Sequence, residues 1–227
     1  MTAPILVFDL DGTLVHTAPD LLDSLNHCLA LEGIAPSDPE GFLSYVGQGS
    51  RMMIERAFAA RRMPLAAERL DRLQAAFLEH YVDAMPGRSA LYPGATRVME
   101  TFSRAGFLLA VCTNKLEGMS VQLLERLGAA ASFAAICGGD TFAYRKPDPR
   151  HLFDTIKKAG GDPSRAVMFG DSRADIDAAK AAGIPVVAVD FGYSDRHVRE
   201  MDPSCVISHY DEVTPELVAA LLRAAAA

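Results

Sequence analysis

The sequence has no long apolar run, no cluster of Lys or Arg and no cysteine pair at metal-ligand spacing. Its 227 residues include 22 Lys and Arg against 29 Asp and Glu, so the net charge is −7 and the pI about 5.3. A negatively charged chain without a basic patch has no long-range attraction for nucleic acid or for an anionic membrane. We therefore expect neither as a partner.

The cysteines and the amino terminus indicate where the protein resides. Cys28, Cys112, Cys137 and Cys205 are scattered, mostly within apolar or helical patterns, which is typical of small buried thiols in a reducing compartment. The N-terminus has no basic region, and Asp9 interrupts its apolar run before a signal peptide or a membrane span is complete. The sequence predicts a cytoplasmic protein.

Apolar residues make up half of the chain, which is enough to bury a core, and many of them lie in short runs. The runs are nearly continuous rather than alternating, as in strands that are covered on both faces of a parallel sheet. They cover 5–8, 107–112, 166–169, 184–189 and 205–207. Helices are predicted between them, one capped by Asp148 and one beginning near Ser172. This order predicts a doubly wound α/β sheet.

Residues 16–88 differ from the rest because they contain no convincing strand run. Apolar stripes at helical spacing occupy 21–29 and 70–81. The stretch MPGRSALYPG at 85–94 has the Pro and Gly content of a hinge. We predict an α/β core formed by residues 1–15 and 89–227, with 16–88 inserted as a helical cap domain.

Polar residues follow the predicted strands. Ligands of open parallel sheets bind beyond the carboxyl ends of the strands, so these side chains are expected to converge on one crevice. They are Asp9, Asp11, Thr113, Asn114 and Asp171, together with Lys146 from a neighbouring loop.

This set of side chains suits the hydrolysis of a phosphate ester. Asp9 is available as a nucleophile, since a carboxylate is ionised at neutral pH, and Mg²⁺ held by Asp9 and Asp171 would remove the charge repulsion. Lys146 would add positive charge. The phosphoryl oxygens would be held by Gly12, Thr13, Thr113 and Asn114. Asp11 can protonate the leaving alkoxide and later deprotonate the attacking water.

Four ordered stretches, FDLDGTLV, VCTNK, the lysine of RKPDP, and GDSRADI, resemble the signature motifs of the haloacid dehalogenase superfamily of phosphohydrolases. The resemblance spans residues 9–175 and implies a Rossmann-like core with a helical cap inserted after the first motif. It implies that Asp9 is the nucleophile and that Thr113 and Lys146 stabilise the phosphate and the intermediate. Asp11 would be the acid/base and also a metal ligand through its backbone carbonyl, and Asp171 a metal ligand. Asp175 would support the metal's shell.

The same resemblance disfavours two branches of the superfamily. Members that cleave carbon–halogen bonds lack the second aspartate, which this chain has as Asp11. Members that cleave phosphonates use a cap lysine, and residues 16–88 contain no lysine.

The substrate prediction depends on the predicted cap. In YVGQGSRMMIERAF, the loop of Gly47, Gln48 and Gly49 precedes a helix expected to start near Ser50, whose N-terminus with Arg51 would favour an anion. The stretches APDLL and GQGSRMMIERA are similar to phosphoglycolate phosphatases. The carboxylate of 2-phosphoglycolate would suit this loop, so we expect a small phosphorylated metabolite as substrate and a monomer or homodimer as the assembly.

Other functions remain open at this stage. Related sugar-phosphate phosphatases, nucleotidases, pyrophosphatases and phosphomutases share this plan. An alternative of another class is a phosphate-sensing module, because acidic pairs with Thr and Lys at strand ends also build phospho-acceptor switches. The pattern of Gly47–Arg51 is equally typical of an ordinary helix start with Arg51 in solvent.

Overall fold

The structure, a computed structural model, describes residues 2–43, 46–47, 49–194 and 196–225. Its central element is a six-stranded parallel sheet with the strand order β5-β4-β1-β6-β7-β8. The strands are β1 (Ala3–Phe8), β4 (Leu108–Cys112), β5 (Ala135–Cys137), β6 (Gly161–Gly170), β7 (Val186–Val189) and β8 (Cys205–Ile207). The five predicted strands are confirmed, and the short β5 was missed.

Apolar residues on both sides of each strand explain why the sheet is covered on both faces. In β1, Leu6 and Phe8 belong to one apolar cluster, while Ile5 and Val7 belong to another on the opposite face. The first cluster includes residues of α5 (Ala95–Arg104), α6 (Glu117–Arg126) and α9 (Pro215–Ala225). The second includes residues of α7 (Pro149–Lys158) and α8 (Arg173–Ala181). This is the predicted Rossmann-like α/β fold.

The order of the strands places a crevice beside β1. The chain moves from β1 to β4 and β5 on one side, and then returns to β6, β7 and β8 on the other. Such a switch in direction separates the loops at the carboxyl ends of the neighbouring strands, and ligands of open α/β sheets bind there.

Among the described residues that follow β1 in the sequence and precede β4, four helices form what we call the helical segment. They are α1 (Ala18–Leu31), α2 (Pro39–Leu43), α3 (Ser50–Ala60) and α4 (Ala67–Ala84). The buried faces of α1 and α4 carry the predicted stripes, with Leu21 and Leu25 on the first and Leu73 and Phe77 on the second. The described part of residues 16–88 is thus largely helical.

Two short strands connect the helical segment to the sheet. β2 (Val15–His16) pairs antiparallel with β3 (Ala90–Leu91). Near this pair, the buried Asp20 accepts hydrogen bonds from the backbone N–H groups of Arg88 at 2.9 Å and Ser89 at 2.7 Å. A charge-assisted bond of this kind fixes the start of α1 to the returning chain.

In the part of the chain that is described, no helix combines the length and the hydropathy that a membrane span requires.

Candidate active site

The carboxyl ends of β1 and β6 bring three buried carboxylates together. Asp9 follows β1 and Asp171 follows β6, while Asp175 lies in the first turn of α8. One oxygen from each of the three carboxylates lies within 4.8 Å of the others. Asp9, Asp171 and Asp175 are 7%, 3% and 0% exposed. The parallel pairing of β1 with β6 explains this convergence, because it extends past Phe8 through the 2.9 Å bond from the Asp9 N–H to the Phe169 carbonyl.

The buried Lys146 lies among these carboxylates. Its Nζ is 2.6 Å from Asp175 Oδ1, 2.6 Å from the Cys112 carbonyl oxygen and 2.9 Å from Asp9 Oδ1. Burial by itself lowers the pKa of Lys146, but the Asp175 and Asp9 carboxylates raise it above the ordinary value. Lys146 therefore carries its charge at neutral pH.

The remaining partners of the carboxylates come from the surrounding loops. Asp171 Oδ1 accepts the Thr13 hydroxyl at 2.8 Å, and Asp171 Oδ2 accepts the Tyr193 N–H at 2.7 Å. Asp175 Oδ2 accepts the N–H and the hydroxyl of Ser172, which forms the capping box of α8. Asp9 Oδ1 touches Lys146 but receives no hydrogen bond of good geometry.

The charges of the cluster fit a divalent cation. Three carboxylates and one ammonium, which is three negative charges against one positive, leave two negative charges in a buried space. Burial, followed by the charge of Asp175, raises the pKa of both Asp9 and Asp171. Besides its ion contact with Lys146, Asp9 Oδ1 receives no hydrogen bond from the described residues and so can bind a metal, and hard oxygen donors of this kind suit Mg²⁺. The residues present therefore fit the implied metal.

Asp11 lies on the other side of the crevice. Its two carboxylate oxygens are 3.2 and 3.3 Å from Nζ of Lys115, which follows β4. The same ammonium donates to the Tyr81 hydroxyl at 2.9 Å and lies 4.2 Å from the centre of the Tyr81 ring. Asp11 is thus connected through Lys115 to α4 of the helical segment.

The other predicted ligands of a phosphoryl group surround the same crevice. Asp9, Asp11, Thr113, Asn114 and Lys146 border one small cavity together with Gly47, Lys115 and Ser172. Asn114 donates to the Lys146 carbonyl at 3.0 Å, while its own side-chain oxygen has no partner. The Gly12 N–H donates to the Val15 carbonyl at 3.0 Å, and the Thr13 hydroxyl to Asp171.

The turn after β1 packs closely against Asp171, which explains why residue 12 is a glycine. Gly12 has a φ of +83°, and a Cβ there would lie 2.5 Å from Asp171 Oδ2. Any side chain at this position would displace that carboxylate.

A larger cavity of about 330 Å³ lies between the crevice and the helical segment. Asp11 and Lys115 border it from the core, and Gly47, Gly49 and Arg51 border it from the predicted substrate loop. The helix after this loop begins at Ser50, as predicted. Arg51 donates to Asp71 at 2.5 Å and to Gln74 at 3.3 Å on α4, so an acid of the helical segment already neutralises its charge. Gln48 lies outside the described residues.

Sequence reasoning missed Lys115 and Tyr81 as site residues. Lys115 belongs to the VCTNK motif and follows a buried strand, which is the signal that identified Thr113 and Asn114. Nothing in the sequence distinguishes it from a solvated lysine, because its partners lie 104 and 34 residues away. Tyr81 was predicted only as part of the apolar stripe of α4.

Comparisons with known proteins agree with this geometry. The sequence model of the haloacid dehalogenase-like hydrolases matches residues 6–189. A phosphoglycolate phosphatase of Mesorhizobium japonicum is 60% identical over 225 residues, which are 99% of each chain. One from Agrobacterium fabrum is 49% identical over 99% of this chain and 97% of its own.

A solved structure shares the whole architecture. The crystal structure of a predicted phosphoglycolate phosphatase from Haemophilus somnus matches with a TM-score of 0.86 and 26% identity, over 92% of this chain and 96% of the other. The family model covers most of the chain and includes Asp9, Lys146 and Asp171. This chain therefore belongs to the family of haloacid dehalogenase-like hydrolases.

Proposed function

We propose that this hydrolase is a Mg²⁺-dependent phosphoglycolate phosphatase, which converts 2-phosphoglycolate to glycolate and inorganic phosphate. The observation that carries the substrate is the 60% identity, over 99% of both chains, to a phosphoglycolate phosphatase. The chemistry is supported by the buried arrangement of Asp9, Asp171 and Lys146 at the switch point of the sheet.

In the proposed first step, a carboxylate oxygen of Asp9 attacks phosphorus and the bond to the ester oxygen breaks. Lys146, held beside Asp9, offsets the negative charge that the phosphoryl group brings. Asp11 donates a proton to the departing glycolate oxygen. The products of this step are an aspartyl-phosphate on Asp9 and free glycolate.

In the second step, Asp11 takes a proton from a water molecule, which attacks the phosphorus of the aspartyl-phosphate. Phosphate leaves, and the carboxylate of Asp9 is restored. The metal, when bound, would neutralise phosphoryl charge in both steps. We assign its coordination to Asp9, Asp171 and the Asp11 carbonyl, with Asp175 supporting the shell by fixing Lys146 and Ser172.

We further propose that residues 16–88 act as a cap over the remainder of the chain. The small cavity beside Asp9 has a volume of about 20 Å³, which is room for about one water molecule. A phosphoryl group is larger than one water molecule, and Gly47 of the helical segment borders this cavity, so we propose that the segment moves away when the substrate enters. Its return would exclude bulk water from the aspartyl-phosphate until the second step.

Phosphate release from a panel of substrates tests the proposal. The panel contains 2-phosphoglycolate, hexose phosphates, nucleoside monophosphates and pyrophosphate, each with and without Mg²⁺. We expect the highest kcat/KM for 2-phosphoglycolate, and loss of activity without the metal or in Asp9→Asn. Asp177→Asn, at an exposed position of α8, is the matched control and should retain activity.

The outcomes test the proposed mechanism and the proposed substrate separately. Preference for another ester, with the same dependence on Asp9, would retain the mechanism and discard the substrate. An isomerised sugar phosphate without phosphate release would indicate a mutase. A stable phospho-aspartate without turnover would indicate a phosphate-sensing module.

A further inference from the structure

The ammonium of Lys115 is held in place by two long contacts to Asp11 and one hydrogen bond to Tyr81. Its side chain is 7% exposed, and Asp11 and Tyr81 are its only hydrogen-bond partners among the described residues. An ammonium has three N–H donors, and here they face the two Asp11 oxygens and the Tyr81 hydroxyl. The two contacts to Asp11, at 3.2 and 3.3 Å, are long for a charge-assisted hydrogen bond, so a ligand carboxylate that comes closer can take over one of these donors.

The position of Lys115 relative to Asp11 determines which part of a substrate it can reach. If Asp11 protonates the ester oxygen, that oxygen lies within hydrogen-bond distance of the Asp11 carboxyl group. Nζ of Lys115 lies 3.2 Å from the same carboxyl group. In 2-phosphoglycolate, one methylene separates the ester oxygen from the carboxylate. The substrate carboxylate would therefore fall beside Lys115.

The larger cavity leaves space on that side, and the other two cations that border it, Arg51 and Arg145, are exposed to solvent. Asp11, Lys115 and Arg51 all border the 330 Å³ cavity. Arg51 is neutralised by Asp71 at 2.5 Å and is 45% exposed, so water also weakens its attraction for an anion. Lys115 is buried, and an ion pair that it forms there is screened less.

We infer that Lys115 is the residue that recognises the carboxylate of the leaving group and so sets the specificity for a 2-phospho carboxylic acid. This inference rests on the proposed function. Tyr81 holds the ammonium over the cavity from the helical segment, so the recognition site is complete when α4 lies against the core. The carboxylate would share the ammonium with Asp11 and Tyr81, or replace one of them.

The test compares two substrates that differ in one charge. 2-Phosphoglycolamide has the shape of 2-phosphoglycolate but a neutral amide in place of the carboxylate. The measured quantity is the ratio of kcat/KM for the acid to kcat/KM for the amide, with Mg²⁺ present. A ratio is unaffected by any general loss of activity, including one that arises because Asp11 has lost its partner.

In Lys115→Met we expect this ratio to fall about 10- to 100-fold, the range expected for a hydrogen bond to a charged group. Lys115→Gln, which keeps a donor for Tyr81, should show the same fall if the Met variant does not fold. Lys115→Arg should retain part of the preference. Lys158→Met, a 48% exposed lysine of α7, is the matched control and should leave the ratio unchanged.

Two results would overturn the inference. The first is an unchanged ratio in Lys115→Met and Lys115→Gln with both rates reduced, which would mean that Lys115 serves Asp11 alone. The second is a fall in Arg51→Met rather than in the Lys115 variants, which would assign the carboxylate to the loop. Failure of the proposed function looks different, because the unmodified enzyme would then hydrolyse another ester and not 2-phosphoglycolate.

Discussion

Nζ of Lys146 lies 2.6 Å from Oδ1 of Asp175, and both side chains are almost fully buried. The loop before α7 supplies the lysine, and the first turn of α8 supplies the carboxylate. Because Lys146 also touches Asp9 at 2.9 Å, one ammonium compensates two carboxylates of the crevice. This arrangement orients Lys146 towards the proposed nucleophile and ties the two helices to the end of β1.

Replacing Lys146 with methionine should destabilise the protein in the absence of metal. The change leaves three buried carboxylates without a cation, and breaking a buried ion pair from one side costs about 3–5 kcal/mol. Urea unfolding in EDTA measures the loss of free energy. Mg²⁺ should reduce the difference in unfolding free energy between Lys146→Met and the unmodified protein, because it supplies positive charge to the same carboxylates.

The exposed Lys158→Met is the control for Lys146→Met, with an expected change within about 0.5 kcal/mol. Equal stability of Lys146→Met and the unmodified protein in EDTA would mean that Lys146 does not compensate the carboxylates.

Two of the three carboxylates of the cluster could be predicted from strand ends, whereas Asp175, in the first turn of α8, was indicated only by the family resemblance. Asp9 and Asp171 each follow a strand whose continuous apolar run is visible in the sequence, and the carboxyl ends of parallel strands share one edge. The N-cap Asp148 could also be predicted locally, from the Pro that follows it at the start of a helical pattern, and its side chain accepts the Arg150 N–H. In contrast, β5 (Ala135–Cys137) has a single β-branched residue, Ile136, between Ala and Cys, so it lacks the Val and Ile pair that marks the equally short β8.

The contacts between distant segments could not be predicted. Lys115 meets Asp11 because β1 and β4 are neighbours in the sheet, and it meets Tyr81 because α4 of the helical segment folds over the end of β4. Arg51 was expected to favour an anionic ligand, but α3 packs beside α4 and brings it to Asp71. Periodicity places residues on a face of a helix, whereas the partner of that face depends on how helices pack.

His151 should make the protein less stable as the pH falls. The His151 side chain is 0% exposed, and burial, followed by the charge of Lys146, lowers its pKa to about 4. Between the unfolded pKa near 6.5 and this value, the unfolded chain binds the proton and the folded chain does not, so stability is full above pH 6.5 and decreases below it. The slope is about 1.4 kcal/mol per pH unit.

The variant His151→Asn isolates this contribution. Asn keeps an acceptor for the Lys146 backbone N–H, which donates to His151 Nδ1 at 3.2 Å, but does not titrate. Urea unfolding near pH 7 and near pH 5 should give a smaller loss for the variant, by about 2 kcal/mol. Identical losses would show that His151 is not buried as a neutral imidazole.

Tyr193 should stabilise the start of α1 through its hydroxyl and the metal site through its backbone. The hydroxyl oxygen accepts the N–H groups of Thr17 at 2.9 Å and Ala18 at 3.1 Å, both of which are buried. In Tyr193→Phe these groups lose their acceptor, which should cost about 1–3 kcal/mol in urea unfolding. The backbone N–H to Asp171 remains in the variant, so the affinity for Mg²⁺ should be preserved.

The partly exposed Tyr144→Phe, whose hydroxyl contacts Asp154, is the control for Tyr193→Phe and should cost less than about 1 kcal/mol. A loss of Mg²⁺ affinity in Tyr193→Phe without a loss of stability would contradict the division of roles between hydroxyl and backbone.

Removal of one proposed metal ligand should abolish stabilisation by Mg²⁺. If Mg²⁺ binds the folded protein as proposed, then at 100 times its Kd it should raise the free energy of unfolding by about 2.7 kcal/mol. Asp171→Asn removes one carboxylate charge from the buried cluster and should eliminate most of this increment. The control is Asp177→Asn, at an exposed position on the same helix as Asp175, which should keep the stabilisation by Mg²⁺. Thermal or urea unfolding with and without Mg²⁺ measures the increment in each variant. An equal increment in Asp171→Asn would place the metal away from Asp171 and would require a different assignment of the carboxylate cluster.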